Sequence, residues 1–264
     1  MKNSKFLISV NKLSAFEEYK KIGFTNFLFA VKGFSAGLPA FALEELKGLD
    51  GNIYLNINRI MDSATIEALK KLSKELDFVK GIFFDDLGVY QILKDTEIPL
   101  IWNQSHFVLN TKAVNFWLDR TWSACLSNEL TLGEIKTILR DCTKPIVLNV
   151  FGLNPAMYSR RYLLSCFNQV KSLKMHQKAI LEVDEQNKFL AFEDESGTTL
   201  YYHQFFNYLP ALNELPDEKV LFYYINTLNL STEAVVNLTN GLMPESKEKF
   251  LNQKTIYKLE GPNG

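Results

Sequence analysis

Two adjacent carboxylates, Asp85 and Asp86, and a third at Glu129 are the side chains best suited to acid–base work, because each follows a short apolar run that reads as a strand. The carboxyl ends of parallel strands are where α/β barrels gather their reacting groups. Helix capping is the competing role for Asp86 and Glu129. Amides collect at comparable positions: Asn56 and Asn58 with Arg59, then Asn103 and Gln104 with Ser105, then Asn149, while Ser127 stands next but one to Glu129. Amides do not titrate, so they suit recognition of a neutral ring or a peptide better than proton transfer.

Basic chemistry is local. No acidic residue lies between Asp141 and Glu182, whereas Lys144, Arg160, Arg161, Lys171, Lys174 and Lys178 all do. The segment 144–178 therefore offers a surface for RNA or a phosphorylated ligand, with Tyr158, Tyr162 and Phe167 available for stacking. The alternative is a solvated loop balanced by the acids of 182–195. Cys125, Cys142 and Cys166 are odd in number and form no C-x-x-C, and His106, His176 and His203 form no H-E-x-x-H. Neither a disulfide framework nor a metal site is expected.

The elements that must position these groups are legible as two alternating periods. Apolar runs at Phe6–Val10, Phe27–Val31, Ile53–Ile57, Gly81–Phe84, Pro99–Trp102, Thr121–Cys125 and Ile146–Val150 recur at the spacing of a strand, a helix and two short loops. Helical pattern fills the gaps: Ser14 with Glu17 reads as a capping box, Thr131 with Glu134 as another, and 63–76 as an amphipathic helix. An eighth strand is expected at Val220–Ile225 and a helix at 231–238. Between strands seven and eight, three antiparallel strands are expected at 179–183, 189–193 and 198–202, joined by turn-like connectors at 185–188 and 194–197. The reading is one α/β domain over 1–264, a (β/α)8 TIM-like barrel with a small β-rich insertion at about 176–204. A doubly wound open sheet is the alternative.

A charge of -1 from 29 basic and 30 acidic residues gives no global pull toward nucleic acid or a membrane surface. The opening residues carry too short an apolar run for a signal peptide, and no run has the length of a membrane span, so a cytoplasmic protein is expected.

Three segments together resemble the peptidase U32 family. Phe83-Phe-Asp-Asp-Leu-Gly-Val89 is similar to an aspartate-containing stretch at the end of that family's fourth strand. Leu109-Asn-Thr-Lys-Ala-Val-Asn-Phe-Trp117 and Leu126-Ser-Asn-Glu-Leu-Thr-Leu-Gly-Glu134 are similar to its "N-s-e-A-v-x-f-w" and "L-S-R-E-L-s-l-x-E" segments. The family signature falls on 147–165, where Gly152, Leu164 and Ser165 fit but the two cysteines are replaced by Pro155 and Tyr162. The resemblance implies a shortened U32 peptidase with Glu129 or Asp85 as catalytic acid–base and a peptide or small molecule as ligand. Asn56, Asn58, Asn103, Gln104, Ser127, Asn149, Arg160 and Arg161 are the candidate ligand-binding residues. Some members resemble iron–sulfur proteins of tRNA or ring hydroxylation. Such a cluster takes four thiolates; with three cysteines in the chain, no cofactor is expected. An accessory subunit to a larger U32 paralogue, or a binding barrel without catalysis, are the other readings.

Overall fold

A computed structural model describes residues 3–104, 108–174, 176–184, 188–242 and 246–247. Eight apolar segments form strands β1 (Phe6–Ser9), β2 (Asn26–Val31), β3 (Asn52–Ile57), β4 (Gly81–Phe84), β5 (Leu100–Trp102), β6 (Ser123–Ala124), β7 (Ile146–Gly152) and β8 (Val220–Ile225). Helices α1 (Leu13–Lys21), α2 (Leu43–Leu46), α3 (Ser63–Leu72), α4 (Leu87–Leu93), α5 (Thr111–Leu118), α6 (Leu132–Asp141), α7 (Leu163–Val170) and α8 (Thr232–Thr239) follow them in turn. The strands pair in parallel from β1 through to β6, and β8 bonds to both β1 and β7. Between β6 and β7 a single parallel bridge joins Cys125 to Val147, and the Leu126 amide donates to the Val147 carbonyl at 3.1 Å. The outcome is a curled, barrel-like α/β sheet. Phe205–Asn207 extends it antiparallel to β7, which makes it mixed.

Period-two alternation sorts the strand residues onto two faces. Phe29, Ile53, Leu55, Ile82, Phe84 and Leu148 pack outward with the helices in the main core. The opposite face contributes one buried side chain per strand position: Leu7, Leu28, Tyr54, Phe83, Ile101, Cys125, Val147 and Phe222 form one cluster. Burial of each large apolar member stabilises by about 1.5–3 kcal/mol. Two residues further along that same face come Asn56, Asp85, Asn103, Ser127, Asn149 and Tyr224. The layer above an apolar plug is thus polar.

Local chemistry accounts for the helix starts with one correction. Thr131 and Glu134 make the reciprocal capping box, but α1 begins after Lys12 with no side-chain cap, so Ser14 lies inside the helix and does not pair with Glu17 across its entry. The amphipathic helix α3 ends at Leu72, and a short 3-10 turn carries the chain to Glu75. Three insertion strands, Lys178–Glu182, Lys188–Asp194 and Gly197–Tyr202, stand close to their expected places. A fourth, Pro155–Ser159, joins them directly after β7, giving one four-stranded sheet. Leu190, Phe192 and Tyr201 of this sheet pack with Ala30, Leu38, Leu153 and Leu228, at the carboxyl ends of the parallel strands. The connector positions 185–187, with Ser105 and His106, lie outside the described residues.

Candidate functional site

The polar layer and the insertion sheet enclose a pocket of about 330 Å³. Asn56, Asn149 and Tyr224 line it from the strands, and Asn58, Asp85, Asp86, Asn103, Gln104, Asn128 and Asn226 from the loops just beyond. Pro155, Met157, Tyr158, Thr199 and Tyr201 of the insertion sheet supply the facing wall. The fold alone brings residues from Ala36 to Asn226 to this one place.

The lid is pinned to the loop after β2. The Tyr201 hydroxyl donates to the Gly37 carbonyl at 2.6 Å, the Gly37 amide donates to Asp194 Oδ2 at 3.1 Å, and Ser196 Oγ donates to the Ser35 carbonyl at 2.6 Å. Gly37 has φ +80°, and a side chain there would run into Tyr201 and Thr199, so only glycine fits this approach.

Two neighbouring aspartates have different duties. Asp86 is spent on structure: its Oδ1 accepts from the Gly88 amide at 2.7 Å, capping α4, and its Oδ2 accepts from the Met61 amide at 3.0 Å. Asp85 has no hydrogen-bonded side-chain partner among the described residues. Burial pushes its carboxyl up to about 7, the Asp86 carboxylate adds to the rise, and its own backbone amide opposes it. A carboxyl held there exchanges a proton readily at neutral pH.

The amides divide in the same way. Asn58 is committed to both backbone groups of Ala36, accepting at 3.0 Å and donating at 3.2 Å. Asn128 Nδ2 donates to Asn154 Oδ1 at 2.6 Å, and Asn226 Oδ1 accepts from the Leu228 amide at 3.0 Å. By contrast, Asn56 and Asn149 each have a buried side-chain oxygen with no hydrogen-bond partner among the described residues. A buried unpaired amide oxygen costs about 1–3 kcal/mol, which a fold does not incur for stability.

The other sequence candidates lie elsewhere. Glu129 is exposed and outside the pocket; its backbone amide donates to Ser127 Oγ at 3.2 Å. Ser127 is buried beneath the wall and does not line the pocket. Arg160 pairs with Asp62 at 2.7 Å on the surface, and Arg161 is exposed beside it. The position after strand seven, where a basic segment invites phosphate, is filled from within. Glu193 reaches the start of α7, accepting from the Leu164 amide at 2.8 Å, the Ser165 amide at 3.0 Å, Ser165 Oγ, and Thr198 Oγ1 at 2.7 Å. Desolvation works against its charge, but these donors outweigh it and hold the carboxyl below its usual range. Met157, Tyr158, Thr199 and Tyr201, all from the insertion sheet, are lining residues that strand-end reasoning does not reach.

The three cysteines stand in three different settings. Cys125 belongs to the inner apolar cluster, Cys142 to the outer core, and Cys166 is exposed on α7. Among the described residues no group of three His, Cys, Asp or Glu side chains forms a metal-binding set, and no helix is long and apolar enough to cross a membrane.

A family model described as Peptidase family U32 matches residues 30–237. Among solved structures the chain is similar to the U32 peptidase Mk0906, with a TM-score of 0.48 and 9% identity over 84% of this chain and 92% of that one. No curated protein matches the chain.

Proposed function

Because this chain belongs to peptidase family U32, we propose that it hydrolyses peptides at the mouth of a closed (β/α)8 barrel, with Asp85 as the general acid–base. Closure is supported by the Cys125–Val147 bridge and by an inner cluster drawing one side chain from each of the eight strand positions. The observation that carries the chemistry is the place of Asp85, a carboxyl on the pocket wall whose neighbour Asp86 is spent on backbone amides, with burial raising its proton affinity toward neutrality.

In the reaction the ionised form of Asp85 takes a proton from water as the water oxygen adds to the peptide carbonyl carbon. The acid form returns that proton to the amide nitrogen as the C–N bond breaks, leaving a carboxylic acid and an amine. Asn56 and Asn149 have side-chain oxygens that no described residue engages, and they serve to hold the peptide unit, a role for which non-titrating groups are suited. Glu129, exposed and apart, has no part in this step.

The test is release of new amino groups from gelatin or mixed peptides by the purified chain. Asp85→Asn is expected to lower the rate by about a hundredfold or more, the usual worth of a positioned acid–base. Equal rates for the two proteins would remove Asp85 from the chemistry; no cleavage by the unaltered chain would remove the hydrolase reading. A barrel that binds a small molecule without turning it over is the second reading, favoured by a lining with more amides than carboxylates.

A further inference from the structure

The charge of the pocket points to its ligand. Its described lining includes the carboxyls of Asp85 and Asp86 and no lysine, arginine or histidine. The hydrogen bonds that occupy Asp86 come from the backbone amides of Met61 and Gly88 and not from a cationic side chain. Asn56, 4% exposed, brings a buried amide oxygen without a partner among the described residues to the same wall, and Tyr158 and Tyr224 add aromatic side chains, a residue type that attracts cations, to the lining. Two carboxyls, amides and aromatic side chains enclosed under a lid match a donor-rich positive group and reject a carboxylate or phosphate.

We propose that this pocket selects substrates by an ammonium or guanidinium group, which enters the mouth of the sheet and sits between Asp85 and the aromatic wall. The proposal rests on the reading that the strand-end mouth is the site, and it names the substrate class that site takes. The group comes either from a free aliphatic amine or guanidine or from a basic residue of a peptide.

Cation and proton then exchange on one carboxyl. In the empty pocket burial and Asp86 keep a proton on Asp85 up to about pH 7. An entering cation supplies the opposite charge, the proton leaves to solvent, and Asp85 becomes the carboxylate that a general base requires. The titratable groups that face Asp85 across the pocket are Asp86, Tyr158, Tyr201 and Tyr224. Burial raises all three tyrosine hydroxyls from their ordinary value, which keeps them neutral throughout this range. Tyr158 also feels Arg59 and Arg160, together with Asp194, from outside the lining. A ligand that accepted a hydrogen bond from the protonated acid would show the opposite dependence on pH.

The experiment is calorimetric titration of the full chain with agmatine, with N-acetyl-arginine amide, and with N-acetyl-citrulline amide as the neutral isostere, at about pH 6 and about pH 8. The two cations are expected to bind, about tenfold more tightly at the higher pH, with a proton released to buffer near pH 7, and citrulline to bind at least about tenfold more weakly. Agmatine alone binding would assign the site to free amines and guanidines; the arginine amide binding as well would extend it to peptides. Asp85→Asn should abolish the pH dependence, and proton release by the unaltered chain gives the same information if that variant fails to fold. Equal binding of citrulline, affinity falling as pH rises, or no binding of either cation would overturn the proposal. Binding is read without cleavage, so cation binding by an inactive chain would sink hydrolysis alone, and cleavage indifferent to charge would sink this inference alone.

Discussion

Asp85 and Glu193 are both drawn away from bulk water, and they are treated in opposite ways. Glu193 is surrounded by donors at the start of α7, two backbone amides and two hydroxyls, and its charge is held in place. Asp85 receives no such company, and its charge is discouraged. The first is how a protein uses a buried anion to fasten one element to another. The second costs stability and gains a group whose proton is available, which is the pattern of a working site. The same contrast separates Asn58, Asn128 and Asn226, tied into backbone and neighbours, from Asn56 and Asn149, whose oxygens no described residue engages.

The largest effect expected from breaking this contrast lies at Glu193. Glu193→Ala leaves several α7 and lid donors unpaired and should cost about 3 kcal/mol in chemical denaturation. Since the folded pKa of Glu193 lies below the unfolded value of 4.5, its stabilisation is complete above that value and is lost as the pH falls through the lower folded one. A variant as stable as the unaltered chain would mean that the cap is ornamental.

Asp85 carries the opposite sign. Its folded pKa of about 7 lies above the unfolded value of 3.8, so the folded state binds more protons between them and stability declines as pH rises through that window. Asp85→Asn should remove the decline and be more stable by about 2 kcal/mol at about pH 8, after discounting for solvent reaching the pocket. At about pH 3 the two proteins should unfold alike.

Smaller effects sharpen the comparison. Tyr201→Phe deletes the hydroxyl that ties the lid to Gly37 and should cost about 1 kcal/mol. Asn56→Leu replaces an unpaired buried oxygen and should change stability by less than about 1 kcal/mol in either direction, while weakening ligand binding in the same titrations. Arg160→Ala breaks an exposed pair with Asp62 and should be felt least, under about 0.5 kcal/mol by denaturation.

Much of the strand-borne half of this picture was legible in the residues. The runs Phe27–Val31 and Ile53–Ile57 announce parallel strands because both faces are buried, and period two then aligns Asp85 with Phe83 and Asn56 with Tyr54. The lid-borne half was not. Strand Pro155–Ser159 is short, begins with proline and sits where the family signature has eroded, so no alternation marks it. Tyr201 and Thr199 belong to a strand whose pattern is readable, but the place where that strand docks is set by long-range packing. Glu193 read as one more acid balancing a basic stretch; only the fold brings it to the start of a helix 30 residues earlier in the chain. Glu129 and Arg160 show the converse, since a strand end or a charge run supplies a location and not a direction for the side chain.

Asp85 as a proton-exchanging acid in the mouth of the curled sheet is put to trial by carboxyl carbon titration of the protein by NMR, with the resonance assigned from Asp85→Asn. The Asp85 resonance is expected to have a midpoint close to 7, moving down by about one unit or more when agmatine is added. An Asp85 resonance that titrates near 4, as for a carboxyl in water, would contradict it.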